Sequence, residues 1–324
     1  MWGVLRYRRD DVVAILDSQR AGETADGVPV VGTVEDALPL GPNTALVGVA
    51  TQGGRFPPAW IDLLKTCIAK GLHIENGLHV FLTDDLELSD LAARRGVELR
   101  DLRRPPDDLS TATGANLDVP ATIVLTVGSD CAIGKMTVSL ELDLEARRRG
   151  IRSVFVPTGQ TGIAIAGWGI SVDAVVADFI AGAAERLVVE GAERGGELLW
   201  VEGQGALQHP VYSGVTLGLY HGSVPHLLVL CHESGHDTIE GAGGGPHPIP
   251  PLAELVELHE RAALPVRPAR VAAIALNTRR LTEDEARAAV AAAEAETGLP
   301  ADDPVRFGAA RLVDAVLALG PGAA

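Results

Sequence analysis

Thr122-Ile-Val-Leu-Thr-Val-Gly-Ser-Asp-Cys-Ala-Ile-Gly-Lys-Met-Thr137 decides the fold of this chain. Apolar, mostly β-branched residues run up to Gly128, and a short loop leads to Gly134-Lys135. A helix-forming stretch then begins, with Leu140, Leu142 and Leu144 set among charged residues. Strand, glycine-bounded loop, lysine and helix together make a phosphate cradle. Successive backbone N–H groups and the positive end of the helix converge on one anion, and the lysine adds a point charge. The residues such a cradle uses here are Gly128, Ser129, Ala132, Ile133, Gly134, Lys135, Met136 and Thr137.

The stretch departs from the common P-loop in two ways. Five residues separate Gly128 from Gly134, where the usual pattern has four. The position after the lysine, normally a Ser or Thr whose hydroxyl binds Mg²⁺, is Met136, with Thr137 one place later. A thioether is a poor ligand for a hard cation that prefers oxygen. The sequence therefore argues for phosphate binding more strongly than for ATP hydrolysis.

Around this centre the chain reads as α/β. Its 324 residues suit two domains, with 47% hydrophobic and 22% charged residues. Aromatics make up only 4%, which favours a core of small aliphatics and disfavours a stacking platform for single-stranded nucleic acid. A formal net charge of −16 repels nucleic acid and anionic membranes, so neither is an expected partner. The three cysteines, Cys67, Cys131 and Cys231, form no pair at metal or disulfide spacing. The charged start and the lack of a long apolar run lead to the expectation of a cytoplasmic protein acting on a small molecule, with a homo-oligomer as the base-rate assembly.

Residues 1–114 read as a truncated Rossmann-like domain. Strands are expected at Val12–Asp17 and Ala45–Ala50, and helices at Trp60–Lys70 and Asp84–Arg95, closed by Gly71 and Gly96. Asp17 ends its strand where such folds hold a ribose, but no glycine turn precedes it. Arg103-Arg-Pro-Pro-Asp-Asp108 reads as the linker. Residues 115–324 read as a P-loop domain built on a doubly wound parallel sheet. Its strands are expected near 122–127, 153–157, 197–201, 226–231 and 271–276, and its helices near 135–149, 172–194, 251–263, 282–297 and 309–319.

Ligands of such sheets bind beyond the carboxyl ends of the strands, and there the sequence turns polar and glycine-rich. Thr158-Gly-Gln-Thr-Gly162 follows one strand, Glu202-Gly-Gln-Gly205 another, His232-Glu-Ser-Gly-His236 a third, and Asn277 ends a fourth. Thr158, Gln160, Thr161 and Gln204 are candidate substrate contacts. Asn277 is a candidate cofactor contact. Glu202 stands where P-loop proteins place the carboxylate that holds Mg²⁺, and could equally be a general base. Asp130 lies inside the phosphate loop, where a carboxylate repels phosphate, so it is expected to face a metal, an amine or a second substrate. Six of the nine histidines fall between His209 and His247. His209 and His232 are candidates for proton transfer, and a transition-metal site from His232 and His236 is the weaker reading. Gly241–Gly245 reads as a mobile loop.

With Gly128–Thr137, Thr158–Gly162, Glu202-Gly-Gln-Gly-Ala-Leu-Gln-His-Pro210 and Val215-Thr-Leu-Gly-Leu-Tyr-His-Gly-Ser223 in view, the chain resembles the two-domain P-loop proteins long classed as a domain of unknown function. That family includes D-glutamate N-acetyltransferases. The likeness runs from Leu5-Arg-Tyr7 to Val305-Arg306. Members carry a further amino-terminal stretch that completes the first Rossmann strand. The resemblance implies acetyl transfer from acetyl-CoA to the amine of an acidic D-amino acid, with the cradle holding the donor's phosphates. An anionic substrate calls for cations, and Arg6, Arg104 and Arg306 are candidates. A more distant likeness, to dethiobiotin synthetase, rests on the five-residue spacing, Glu202–Gly205 and Asn277. It implies ATP, Mg²⁺ and activation of a carboxylic acid. A nucleotide-sensing regulatory or assembly protein without turnover is the third reading.

Overall fold

The computed structural model describes residues 2–49, 56–241, 243 and 245–320. The chain divides into two compact units, Met1–Arg104 with Gln160–Ser171, and Pro105–Gly159 with Val172–Ala324.

In the first unit α1 (Trp2–Tyr7) precedes β1 (Ile15–Leu16), β2 (Thr24–Ala25) and β3 (Val28–Val31). These strands form a small sheet in the order β1-β3-β2. After α2 (Val34–Ala37) come β4 (Thr44–Leu46), α3 (Pro58–Ala69), β5 (His73–Asn76), α4 (Leu86–Arg95) and β6 (Leu99–Asp101). Strands β4, β5 and β6 pair in parallel in that order. The core between sheet and helices is Leu64, Ile68, Ile74, Leu82 and Leu88. Asp85 caps α4 by accepting from the N–H groups of Glu87 and Leu88, and Gly96 at φ 68° ends it in the left-handed conformation that glycine adopts without cost.

The sequence placed a buried strand at Val12–Asp17. The structure instead gives a two-residue edge strand whose Leu16 is exposed. Among the described residues only one neighbour, β3, pairs with it, and the Asp17 carboxylate turns back to accept from the Gln19 N–H. The second expected strand is shorter as well, and Ala50 lies outside the described residues.

The second unit opens with β7 (Thr122–Gly128), then α5 (Lys135–Arg148) and β8 (Ser153–Val156). Helix α6 (Gln160–Ala166) belongs to the first unit. The chain continues through α7 (Ile180–Glu193), β9 (Leu198–Val201), α8 (Ser213–Ser223), β10 (Leu227–Glu233), α9 (Leu252–Arg261), β11 (Arg270–Asn277), α10 (Glu283–Thr297), β12 (Ala301–Asp302) and α11 (Ala310–Leu319). All six strands are parallel, in the order β12-β11-β10-β7-β9-β8. Central strand β7 is buried on both faces from Ile123 onward, which is why its sequence is continuously apolar rather than alternating.

Successive residues of a strand point to opposite faces. Leu198 and Trp200 join the core beneath α5 and α11, with Val138, Leu142, Leu312 and Val316. Leu199 points the other way, against Gly191 of α7. The sheet is therefore covered on both sides. The strand order reverses at β7, and the crevice that such a reversal opens lies directly over Gly128.

In the second unit two helices differ from expectation. The segment 172–194 is not one helix: 3₁₀ turns at Val172–Ala174 and Ala177–Phe179 precede α7. The sequence did not mark α8, because Gly214, Gly218 and Gly222 weaken helix propensity by roughly 1 kcal/mol each relative to alanine. Two of these glycines serve packing. A Cβ on Gly218 would stand 2.6 Å from Ile180 Cγ2, and one on Gly222 would collide with the Ala181 carbonyl. Among the described residues no helix is long and apolar enough to cross a membrane.

Candidate functional site

The P-loop follows β7 as a tight turn, with Ala132 at φ 55° and Gly134 at φ 113°. Helix α5 starts without a side-chain cap, and its first backbone bond runs from the Val138 N–H to the Gly134 carbonyl. No described residue accepts from the N–H groups of Lys135, Met136 or Thr137. Unfilled donors at a helix start, together with the helix dipole, favour an anion. Lys135 lies among them, 6% exposed, with Nζ donating to the Asp130 carbonyl at 2.6 Å. Burial pushes its pKa below the ordinary lysine value.

The strand ends flanking the loop are tied to it. The Ser129 N–H donates to the Cys231 carbonyl, and Ser129 Oγ meets His232 Nδ1 at 2.9 Å. Asn277 Nδ2 donates to the Ile133 carbonyl at 3.1 Å. Gly203 N–H donates to Thr126 Oγ1 at 2.9 Å. Gln208 Nε2 donates to the Ser129 carbonyl. On the far side of β9, Glu202 Oε2 accepts from the N–H groups of Thr158 at 2.9 Å and Gly159 at 3.1 Å, and Gln204 Nε2 reaches Thr158 Oγ1. The structure thus gathers Gly128, Ser129, Thr158, Glu202, Gln204, His232 and Asn277 at one edge of the second unit's sheet. Gln160 and Thr161 open α6 of the first unit, where Gln160 Oε1 accepts from Arg103.

Asp130 is fully buried, and its carboxylate is the most heavily bonded group of the loop. Oδ1 accepts from the Cys131 N–H at 2.6 Å, and Oδ2 from the Glu240 N–H at 2.9 Å. His236 Nε2 donates to Oδ2 at 2.7 Å. Burial pushes the acid up, but His236 and the two amides outweigh it and hold the pKa below the usual carboxylate value. The charge that seemed out of place in a phosphate loop is therefore turned inward and held by three hydrogen-bond donors.

The histidines have separate roles. His209 is fully buried. Its Nδ1 accepts from the N–H groups of Val211 and Tyr212, so Nε2 carries the proton and donates to the Glu240 carbonyl at 3.1 Å. Burial lowers the pKa of His232. Asp130, Cys131 and His209 each offer a donor atom within 4.8 Å of one another. The tautomer of His209 counts against a metal there, because a metal at Nε2 would need the imidazole stripped of its last proton. His232 Nδ1 meets Ser129 and His236 Nε2 meets Asp130. The sequence reading considered His236 only as a metal ligand and gave Gln208 no role; their bonds to the loop join segments 79 positions apart for Gln208 and 106 for His236, which spacing does not reveal.

The cation candidates each have partners among the described residues. Arg306 donates to the Thr278 and Leu281 carbonyls, and Arg104 pairs with Asp84 and lies over the Phe81 ring. Arg6 lies over the Tyr7 ring.

Glu202 titrates where a base is useful. Burial raises its pKa to about 7 against the Thr158 and Gly159 amides. The folded value stands above the ordinary 4.5, so between those two values the folded state holds a proton that the unfolded chain has lost. Stability should fall as pH rises through that window, by on the order of 3 kcal/mol in total. Glu202→Gln should flatten the pH dependence of stability between pH 5 and 8 and be the more stable form at pH 8. Denaturant titrations at both pH values check this; parallel curves for the two proteins would mean that Glu202 is not held protonated.

A six-stranded parallel sheet with a lysine-bearing anion loop at its reversal point defines a P-loop protein, carried here with a Rossmann-like unit. Residues 110–313 match the P-loop domain, and residues 17–105 the Rossmann-like domain, of the family described as a domain of unknown function, DUF1611. The chain belongs to that family. It is 39% identical over 292 residues to a D-glutamate N-acetyltransferase of Tritonibacter scottomollicae, covering 89% of this chain and 85% of that one. It is 36% identical over 284 residues to one from a Pseudoalteromonas species, covering 87% and 82%. A crystal structure of a DUF1611 family protein from Anabaena variabilis superposes with a TM-score of 0.90 at 42% identity, covering 98% of this chain and 94% of that one.

Proposed function

We propose that this protein is an N-acetyltransferase that moves the acetyl group of acetyl-CoA to the amine of an acidic amino acid such as D-glutamate. The observation that carries the reading is the uncapped start of α5, where three N–H groups have no acceptor among the described residues and the first helical residue is the buried Lys135. Those donors fit a pyrophosphate, and coenzyme A carries one. In this reading Gly128–Thr137 hold the donor, with Asn277 fixing the loop from β11. Thr158 and Gln204 stand beside Glu202 at the edge where an amino acid would be received. The acetyl-transferring names of relatives that align over most of their length support the chemistry. Met136 supports it from the other side, since it replaces the hydroxyl residue that P-loop ATPases place after the lysine to bind Mg²⁺.

The test is direct. Acetyl-CoA mixed with the protein and D-glutamate, with no ATP and no added metal, should release free thiol in step with N-acetyl-D-glutamate. If no amino acid gave thiol, while ATP and Mg²⁺ with a small carboxylic acid gave ADP, the ligase reading would replace this one.

A further inference from the structure

An amine that attacks a thioester must first lose a proton, and the structure is selective about which side chain can take it. His209 has a backbone partner on each ring nitrogen. His232 gives Nδ1 to Ser129, and burial lowers its pKa. Glu202 is 4% exposed, with one oxygen holding two amides. His236 differs. Its Nε2 is held at 2.7 Å by the buried carboxylate of Asp130, the ring is partly exposed, and no described residue bonds Nδ1. A carboxylate that orients one imidazole nitrogen and stabilises the imidazolium, with the other nitrogen left open, is the arrangement by which acyl-transfer enzymes make histidine a base. Here the orienting carboxylate belongs to the phosphate loop itself, so the proton acceptor is fixed relative to the cradle.

We infer that His236, oriented by Asp130, is the catalytic base of the acetyl transfer; this rests on the acetyltransferase reading above. Nδ1 takes one proton from the substrate ammonium, and the freed lone pair forms the C–N bond to the thioester carbonyl. The C–S bond breaks with its electron pair on sulfur. The second proton lost from nitrogen ends on that thiolate. The sum is an amide, a free thiol and one proton, which His236 passes to solvent. The Glu240 N–H shares Asp130 Oδ2, and His209 anchors the Glu240 carbonyl, so both act as positioning groups for the pair.

Two variants of the full chain separate this from a purely structural role. In His236→Gln the amide can still donate to Asp130 but cannot take up a proton. It should keep the melting temperature and the calorimetric Kd for acetyl-CoA, and lose roughly 10²- to 10⁴-fold in kcat. His236→Ala should show the same loss and be partly restored by added imidazole. Full activity in His236→Gln would overturn the inference, as would a matching loss in Glu202→Gln with none in His236→Gln. If the wild-type protein acetylated no amino acid at all, the broader reading would fail instead, and the two failures are told apart by that control.

Discussion

Lys135→Ala should weaken acetyl-CoA binding by roughly ten- to a hundredfold, the equivalent of about 1.5–3 kcal/mol for a hydrogen bond to a charged group. The structure states why so large an effect should come without unfolding. Among the described residues the Lys135 ammonium has one hydrogen-bond partner, the Asp130 carbonyl, and burial disfavours its charge. Removing it deletes an unfavourable buried cation as well as a bond, so the melting temperature of the unliganded protein should hold. What disappears is the point charge among the free N–H groups at the start of α5. Calorimetric titration of both proteins reads the loss, and equal dissociation constants would mean that the loop does not hold the donor.

Gly203→Ala should be severely destabilising, by about 3 kcal/mol or more, at the upper end of what overpacking costs. Gly203 follows Glu202 where β9 passes the central strand. A Cβ there would fall inside the contact distance of the Thr126 carbonyl and stand 3.0 Å from Lys135 Cδ. A flexible side chain could swing aside, but the Thr126 carbonyl belongs to β7, which is hydrogen-bonded on both sides. The Gly203 N–H bond to Thr126 Oγ1 would break with any retreat. Gly214→Ala is the control. Nothing lies within 4 Å of its Cβ, and in helix α8 it should be neutral or stabilising by up to about 1 kcal/mol. Denaturant midpoints compare the two, and a Gly203→Ala protein as stable as the wild type would contradict the placement of Glu202 and Gly203 beside β7.

The two predictions draw on different kinds of information. The cradle around Lys135 was legible in the sequence because strand, glycines, lysine and helix are contiguous, and local physics fixes their geometry. The parallel sheet was legible for a similar reason: strands buried on both faces read as unbroken apolar runs. Helix α8 was hidden because its glycines oppose local propensity and make sense only against α7. The edge strand at Ile15–Leu16 was overread because an apolar run does not say how many neighbours it will have. In the site, Glu202 and Asn277 declared themselves as polar residues at strand ends. The inward turn of Asp130 did not, since its partners His236 and Glu240 lie more than a hundred positions away and meet it only through the β7–β10 pairing. The commitment of Arg306 to the Thr278 and Leu281 carbonyls was equally invisible from spacing.

A crystal structure of the protein with coenzyme A would show whether the loop from Gly128 to Thr137 grips the diphosphate of the acetyl donor. Diphosphate oxygens should lie within hydrogen-bonding reach of the Lys135, Met136 and Thr137 N–H groups, with Lys135 Nζ turned from the Asp130 carbonyl to the phosphate. Coenzyme A bound elsewhere, with Lys135 still on Asp130 and the start of α5 untouched, would contradict it.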